Sequence, residues 1–104
     1  MKSFKGKTVF ITGASSGIGE ACAHRFAAEG ARLLLCARRK KRLNEVRTEL
    51  IKKYQSEVFT FVLDVRERQK VERTLETLPA EWKAVDVLLN NAGLARGFSN
   101  YMKA

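Results

Sequence analysis

The chain has 104 residues, of which 45% are hydrophobic, and this suits one small globular domain. Twenty Lys and Arg against 11 Asp and Glu give a net charge of +9, which favours anionic partners such as nucleotide phosphates, nucleic acid or acidic lipid. The apolar runs are far shorter than the roughly 20 residues of a membrane span, and the basic N-terminus has no apolar signal segment, so we expect a cytoplasmic protein without membrane contact.

The first strand and the first helix follow from the residue pattern. Thr8–Thr12 is a β-branched and aromatic run that ends before Gly13, as expected of a buried strand. From Gly17 onward, apolar residues recur at helical spacing until Gly30, which stands where a helix C-cap is expected. The chain therefore begins with a strand, a glycine-rich turn and a helix.

The same alternation continues along the chain. The other predicted strands are Arg32–Ala37, 58–65 and 85–89. Two more helices carry apolar stripes, at Leu43, Val46, Leu50 and Tyr54, and at Val71, Leu75 and Leu78 before Pro79. Alternating strands and helices indicate a parallel sheet with right-handed crossovers, which place the first two helices on one face and the third on the other.

The turn after the first strand has the sequence Thr12-Gly13-Ala14-Ser15-Ser16-Gly17-Ile18-Gly19. Its glycines have separate uses: a tight exit from the strand, close approach of a pyrophosphate to the backbone, and close packing of helix on sheet. A diphosphate would lie on free N–H groups at the positive end of the helix. Glycine clusters often only make turns, but this strand-turn-helix context favours nucleotide binding. The candidate cofactor contacts are Gly13, Ser15, Ser16, Gly17, Ile18 and Gly19.

The end of the second strand indicates which dinucleotide would bind. An NAD site usually has Asp or Glu there, ~20 residues past the glycines, to accept hydrogen bonds from the ribose 2′-hydroxyl. This chain has Arg38 and Arg39 instead, and arginine can bind the 2′-phosphate that distinguishes NADP. The basic run 38–42 could also be a solvated helix turn or a nucleic-acid patch. Its position favours phosphate binding by Arg38 and Arg39, with residues 40–42 solvated.

Two further polar sites end the third and fourth strands, at the sheet edge where ligands of open parallel sheets bind. Asp64 and Val65 end the third strand, and the aspartate could equally be the N-cap of a helix that starts near Arg66. The sequence Asn90-Asn91-Ala92-Gly93 ends the fourth strand and could be only an Asn/Gly turn. The residues alone leave both choices open.

Cys22, Cys36 and His24 do not indicate a metal or redox site. The two cysteines fall inside predicted elements without a CxxC spacing or neighbouring histidines, which favours reduced core residues. His24 is the only histidine and has no evident partners in the sequence, so a helix-surface position is expected. We therefore predict no metal site.

Three motifs together resemble the short-chain dehydrogenase/reductase family. The turn from Thr12 to Gly19 matches its TGxxxGIG motif, Asp64-Val65 its adenine-contacting motif, and Asn90 to Gly93 its NNAG motif, all in the expected order. The resemblance implies that Asp64 and Val65 lie at the adenine and that the Asn91-Ala92-Gly93 backbone passes beside the adenosine ribose. It also implies that Thr12 ties the first strand to the fourth. The stretch 78–97 looks like the NADP-dependent branch that oxidises serine, allo-threonine and related small 3-hydroxy acids.

The resemblance also implies a three-layer α/β fold of the Rossmann type, with sheet order 3-2-1-4, that is incomplete relative to the full family fold. We expect residues 1–97 to form an NADP-binding half-domain and residues 98–104 a tail of unclear origin. Family members hold their catalytic Ser, Tyr and Lys beyond this stretch, with Tyr and Lys spaced as YxxxK. Tyr101 and Lys103 are only two apart, so they would diverge on a helix.

The sequence therefore predicts the NADP(H)-binding part of an oxidoreductase for small hydroxy or carbonyl substrates. Two alternative functions remain open. These are a non-catalytic nucleotide-binding module and, less favoured, a basic nucleic-acid binder. Nucleic acid and membranes are not expected partners. Because the fourth strand lies at an uncovered sheet edge, we expect homo-oligomers through residues 85–89.

Overall fold

The computed structural model describes residues 3–91, which form four strands and four helices. In chain order these are β1 Thr8–Thr12, α1 Gly17–Ala28, β2 Arg32–Ala37, α2 Lys40–Tyr54, β3 Val58–Val62, α3 Arg68–Thr77, α4 Ala80–Lys83 and β4 Val87–Asn90. All neighbouring strands are parallel, in the order β3-β2-β1-β4. The predicted fold class and strand order are thereby confirmed.

Helices pack on both faces of the sheet, as the crossover rule requires. Alternate residues of β1 point to opposite faces, so Val9 and Ile11 contact one core and Phe10 the other. The first core includes Ala23 of α1 and residues of α2. The second is closed by residues of α3 and by Trp82 of α4. Three layers result, with α1 and α2 on one side and α3 and α4 on the other.

β1 and β2 have the bounds that the sequence predicts, whereas β3 and α3 do not. β3 ends at Val62 rather than at residue 65, because the chain turns at Asp64, whose side chain accepts a hydrogen bond from the Arg66 backbone N–H (3.0 Å). α3 begins at Arg68, with Glu67 at its N-cap. Asp64 is therefore not the helix N-cap, and the N-cap interpretation of this residue is wrong.

The short helix α4 and the late start of β4 were not predicted. α4 follows Pro79 and buries Trp82 against the second core, with the Arg32 guanidinium 4.1 Å from the indole centroid. β4 begins at Val87 rather than at residue 85, because Asp86 is used in a connection to β1. The Asp86 carboxylate accepts from the Thr8 N–H (2.8 Å) and the Asp86 N–H donates to the Thr8 carbonyl (2.9 Å).

The longest helix within residues 3–91 is α2, with 15 residues. No helix in that range combines the length and apolar character needed to cross a bilayer.

Candidate functional site

An open cleft of about 620 Å³ lies at the carboxyl ends of the strands. This volume is in the range of small-molecule and cofactor sites. It lies where ligands of open parallel sheets bind. Its walls are formed by Gly13, Ser15, Ser16, Cys36, Ala37, Arg38, Arg39, Leu63, Asp64, Val65, Arg66 and Asn91.

The β1–α1 turn forms one wall, and Ser16 holds its shape. Gly13 has a φ of +65°, a left-handed conformation that favours glycine. Ser16 is the N-cap of α1: its Oγ donates to the Gly13 carbonyl (2.9 Å) and accepts from the Gly19 N–H (3.2 Å). Within the described residues, no protein acceptor meets the N–H groups of Gly17 and Ile18. This helix end can therefore receive an anion.

Gly17 and Gly19 are glycines for different reasons. A Cβ on Gly19 would stand 2.3 Å from the Gly13 carbonyl oxygen, so α1 can approach the turn only without a side chain at this position. A Cβ on Gly17 would meet no protein atom within 4 Å. Packing within the described residues explains Gly19 but gives no reason for a glycine at Gly17, which opens onto space beside the turn.

The end of β4 is fastened to the same turn by two asparagines. The Thr12 hydroxyl donates to Asn90 Oδ1 (3.0 Å), which ties β1 to β4 as the family resemblance implied. Asn91 Nδ2 donates to the Gly13 carbonyl (3.1 Å) and to Ser16 Oγ (2.6 Å). Asn91 therefore braces the glycine-rich turn with its side chain, a role that the simple turn interpretation does not include.

Arg38 and Arg39 provide the positive wall of the cleft. They follow β2 directly, both are exposed, and Arg39 is the N-cap of α2 without a side-chain capping bond. Neither forms an ion pair with a residue of the described chain. The first turn of α2 also lacks acidic residues. The cleft therefore offers an anion two guanidinium groups without a salt bridge in the described chain, although Arg38 also feels the charge of the Asp64 carboxylate across the cleft.

Only part of the neighbouring basic run is solvated as predicted. Lys40 and Lys41 are exposed, but Arg42 is only partly exposed and bridges α1 and α2 through ion pairs with Glu20, Glu45 and Glu49. The expectation of a solvated Arg42 is therefore wrong. Its position on the α1-facing side of α2 brings it against Glu20 of α1, which is distant in sequence, and against Glu45 and Glu49 of its own helix.

Asp64 and Arg66 form a bidentate ion pair at the far end of the cleft. Arg66 Nε lies 3.0 Å from Oδ1 of Asp64, and Nη2 lies 2.7 Å from Oδ2. Hydrogen bonds from the Arg66 side chain, and then from its backbone N–H, lower the pKa of Asp64 to about 2. Asp64 is therefore a carboxylate at neutral pH, and sequence analysis gave no role to its partner Arg66.

The structure brings most of the predicted contacts together. Gly13, Ser15, Ser16, Arg38, Arg39, Asp64, Val65 and Asn91 all line the cleft. Gly17, Ile18 and Gly19 form the first turn of α1 beside it, with the Ile18 side chain 71% exposed. Ala92 and Gly93 lie outside the described residues.

The cysteines are both free thiols. Cys36 belongs to the cleft wall but is fully buried, and this burial raises the pKa of its thiol to about 12, so it is a neutral core group.

His24 has partners that the sequence did not reveal. Its Nδ1 lies 3.1 Å from the Tyr54 hydroxyl and its Nε2 lies 3.3 Å from Glu49, across the α1–α2 interface. Glu20 is close enough for the three to resemble a metal-ligand set, but Arg42 ion-pairs with both carboxylates. This group is therefore a salt-bridged contact between two helices.

Comparison with known proteins agrees with this geometry. A family model described as short chain dehydrogenase matches residues 7–103. The NADP-dependent 3-hydroxy acid dehydrogenase of Escherichia coli O6:H1 is 42% identical over 96 residues, which are 92% of this chain and 37% of that protein. The L-sorbose reductase from Gluconobacter frateurii, solved in complex with NADPH and L-sorbose, superposes with a TM-score of 0.80 at 39% identity, covering 88% of this chain and 35% of that one. The serine dehydrogenase from Escherichia coli gives 0.70 at 38% identity, covering 78% and 36%.

Proposed function

Because the chain belongs to the short-chain dehydrogenase family, we propose that it is the NADP(H)-binding portion of an oxidoreductase that transfers hydride between NADP and a small hydroxy or carbonyl substrate. The chain spans about 37% of the length of the curated relatives it matches. The hydride transfer is therefore proposed for the whole protein, and nucleotide binding for this chain. The single observation that carries the proposal is the cleft itself. It combines a capped helix N-terminus with two arginines, Arg38 and Arg39, that have no ion-pair partner within residues 3–91.

The residues of the cleft fit an NADP molecule. Gly17 leaves space beside the free N–H groups of the α1 N-terminus, where a diphosphate has room to approach the backbone. Arg38 and Arg39 match the dianionic 2′-phosphate in charge and in hydrogen-bonding geometry. Asp64 presents an ionised acceptor for an exocyclic base amine, and the apolar residues Leu63 and Val65 line the same cleft.

In this proposal the chain binds and orients the nucleotide. NADP, when bound, supplies the hydride acceptor or donor of the reaction. Ser15 and the N-terminus of α1 hold the diphosphate, Arg38 and Arg39 the 2′-phosphate, and Asp64 with Val65 the base. Asn91 keeps the glycine-rich turn in its binding shape through its bonds to Gly13 and Ser16. Ala92 and Gly93 are proposed to lie beside the adenosine ribose.

The site can be mapped by two-dimensional NMR, since the chain has a mass of only 11.7 kDa. Titration with NADP⁺ should shift amide signals of the β1–α1 turn, of Arg38 and Arg39, and of Asp64. Signals from Lys52 and Lys53, in the exposed last turn of α2, should stay in place. A competing nucleic-acid binder would instead show shifts across the basic surfaces on addition of an oligonucleotide, with a steep salt dependence. Shifts of that kind, without competition by NADP⁺, would refute the proposal.

We predict that the 104-residue chain alone does not transfer hydride. Tyr54 is followed four residues later by Val58, and Tyr101 and Lys103, which lie outside the described residues, are only two apart, so neither tyrosine has the YxxxK spacing that puts both groups on one helical face. The measurement is NADPH absorbance with serine, allo-threonine and simple carbonyl compounds. Turnover that survives repurification and is lost in Tyr101→Phe would contradict the prediction, and would also exclude a purely non-catalytic nucleotide-binding module.

We also predict self-association through β4. This strand is an edge of the sheet formed by the described residues, and its four residues are all only partly buried. Unpaired strand edges with apolar side chains are templates for pairing with a second chain. Sedimentation equilibrium at micromolar concentration should show dimers or larger species, and Val87→Lys should weaken them.

The opposite edge of the sheet supplies a matched control. Val62 ends β3 and is 48% exposed, so Val62→Lys adds the same charge at the other edge. This variant should associate like the unchanged chain. Since Val87 also packs partly against the first core, the folded fraction of Val87→Lys must be measured by circular dichroism. A folded monomer for the unchanged chain, or equal weakening by both substitutions, would contradict association through β4.

A further inference from the structure

A salt bridge outside the cleft connects the two helix ends that are proposed to bind phosphate. Glu20 lies in the first turn of α1, where its N–H donates to the carbonyl of the N-cap Ser16 (2.8 Å). Arg42 lies in the first turn of α2, directly after Arg38 and the N-cap Arg39. Nη2 of Arg42 donates to Oε1 of Glu20. This Glu20–Arg42 bridge therefore joins the diphosphate end of the cleft to its 2′-phosphate end.

The bridge has a defined orientation because Arg42 is also held by its own helix. Nη1 of Arg42 lies 3.1 Å from Oε1 of Glu45 and 3.8 Å from Oε1 of Glu49. The side chains of Arg42 and Glu20 are 37% and 22% exposed, so both are partly shielded from water. A planar guanidinium that is held by several carboxylates has little freedom to turn. Arg42 is thus fixed on α2 while one of its nitrogens reaches α1.

The other polar contacts between α1 and α2 in residues 3–91 lie farther along α1. They involve His24, one turn after Glu20, which contacts Glu49 and also Tyr54, the last residue of α2. Behind them the two helices share the first core. Within the described chain, the Glu20–Arg42 bridge is therefore the polar contact that links the first turns of both helices.

The separation of the two helix ends matters because the proposed ligand binds at both of them. A dinucleotide with a 2′-phosphate places its diphosphate on α1 and its 2′-phosphate at the start of α2. Both contacts contribute fully when the protein already holds the two ends at the separation that the ligand needs. If the ends are free to move, part of the binding free energy is spent on ordering them. A ligand without the 2′-phosphate does not bear this cost.

We propose that Glu20 and Arg42 are positioning residues that fix the separation of the diphosphate and 2′-phosphate ends of the cleft, and so raise its selectivity for 2′-phosphorylated dinucleotides. This inference rests on the proposed function, because it takes the two phosphates to lie at these helix ends. Neither residue lines the cleft. They act on the ligand through the positions of Arg38, Arg39 and the α1 N-terminus.

The test is calorimetric titration of the full chain and its variants with 2′-phospho-ADP-ribose and with ADP-ribose. Glu20→Met and Arg42→Met each remove the bridge, and each should lower the ratio of the two affinities by about three- to tenfold, as expected when one or two groups must be ordered on binding. Lys41→Met is the matched control, since Lys41 is exposed, adjacent to Arg42 and without an ion pair in the described chain. It should keep the ratio of the unchanged chain.

Glu20→Met separates positioning from a simple effect of charge. Loss of a negative charge near the phosphates would by itself raise the affinity for the ligand with the extra phosphate, whereas loss of the bridge lowers it. The double variant Glu20→Met/Arg42→Met should lower the ratio about as much as either single change, because the bridge can be removed only once. A raised ratio in Glu20→Met, or a double variant that multiplies two separate losses, would overturn the positioning role.

The ratio of two affinities measured on one sample is insensitive to the folded fraction. If a methionine variant does not fold, Glu20→Gln and Arg42→Lys weaken the same bridge with smaller changes of shape, and each should still lower the ratio. An unchanged ratio in the folded variants would overturn this inference alone. Equal affinities of the unchanged chain for the two ligands would overturn the proposed function, and this inference with it.

Discussion

Gly19→Ala is expected to destabilise the chain by about 3 kcal/mol, at the upper end of the usual cost of overpacking. The added methyl would lie 2.3 Å from the Gly13 carbonyl oxygen, and the next contacts are also with backbone atoms of the turn, at 3.0 Å. No flexible side chain can move aside, so α1 must shift away from the sheet. The gain in helix propensity from alanine, about 1 kcal/mol, does not offset this. Urea unfolding followed by circular dichroism measures the change.

Gly17→Ala is the matched variant two residues earlier, and it should behave in the opposite way. Its methyl would meet no protein atom within 4 Å, so stability should stay the same or rise by up to about 1 kcal/mol. Binding of NADP⁺ should weaken about tenfold or more, because the methyl occupies space that the diphosphate needs. Equal losses of stability in both variants, or undiminished binding by Gly17→Ala, would contradict the separate roles assigned to these glycines.

Replacement of Arg38 and Arg39 by alanine should remove the preference for a 2′-phosphate. A hydrogen bond to a charged group contributes ~1.5–3 kcal/mol, so the loss of one or two weakens 2′-phospho-ADP-ribose binding by roughly tenfold to several-hundredfold. The affinity for ADP-ribose should change little, since that ligand has no phosphate at this position. The effect is specific to the cleft because both arginines line it without an ion-pair partner in the described chain.

Lys40→Ala/Lys41→Ala is the control for charge. It removes the same two positive charges from the adjacent, exposed first turn of α2, outside the cleft lining. Its ratio of affinities for the two ligands should remain that of the unchanged chain. A similar loss in both double variants would mean that net charge alone attracts the phosphate. In that case the two arginines would have no specific role.

The elements that the sequence predicts well are those whose pattern depends on local residues. β1 and β2 are buried on both faces, so their apolar runs stop where burial stops, and Gly13 and Gly30 mark the turns that follow or precede them. Strand order follows from the family motifs. The edge strands were harder, because their ends are set by single hydrogen bonds. After β3, the Asp64 carboxylate accepts a hydrogen bond from the Arg66 N–H, and before β4, the Asp86 carboxylate accepts one from the Thr8 N–H.

Most of the predicted site residues line one cleft, but the contacts that connect them were not predicted. Motif spacing identifies Asp64 and Asn91, yet it says nothing about partners that only the folded chain brings close. Asn91 reaches Ser16 across 75 residues, and Arg42 reaches Glu20 across 22. Arg66 was missed for a different reason: it follows the Asp64-Val65 motif directly, but none of the motifs includes it. Only the cleft geometry shows that it shares the site.

The central claim is that this chain forms a nucleotide site selective for a 2′-phosphate, and calorimetric titration of the 104-residue chain with 2′-phospho-ADP-ribose and with ADP-ribose tests it most directly. We predict that the phosphorylated ligand binds tighter by roughly tenfold to several-hundredfold, through Arg38 and Arg39. Equal affinities for the two ligands would contradict the account.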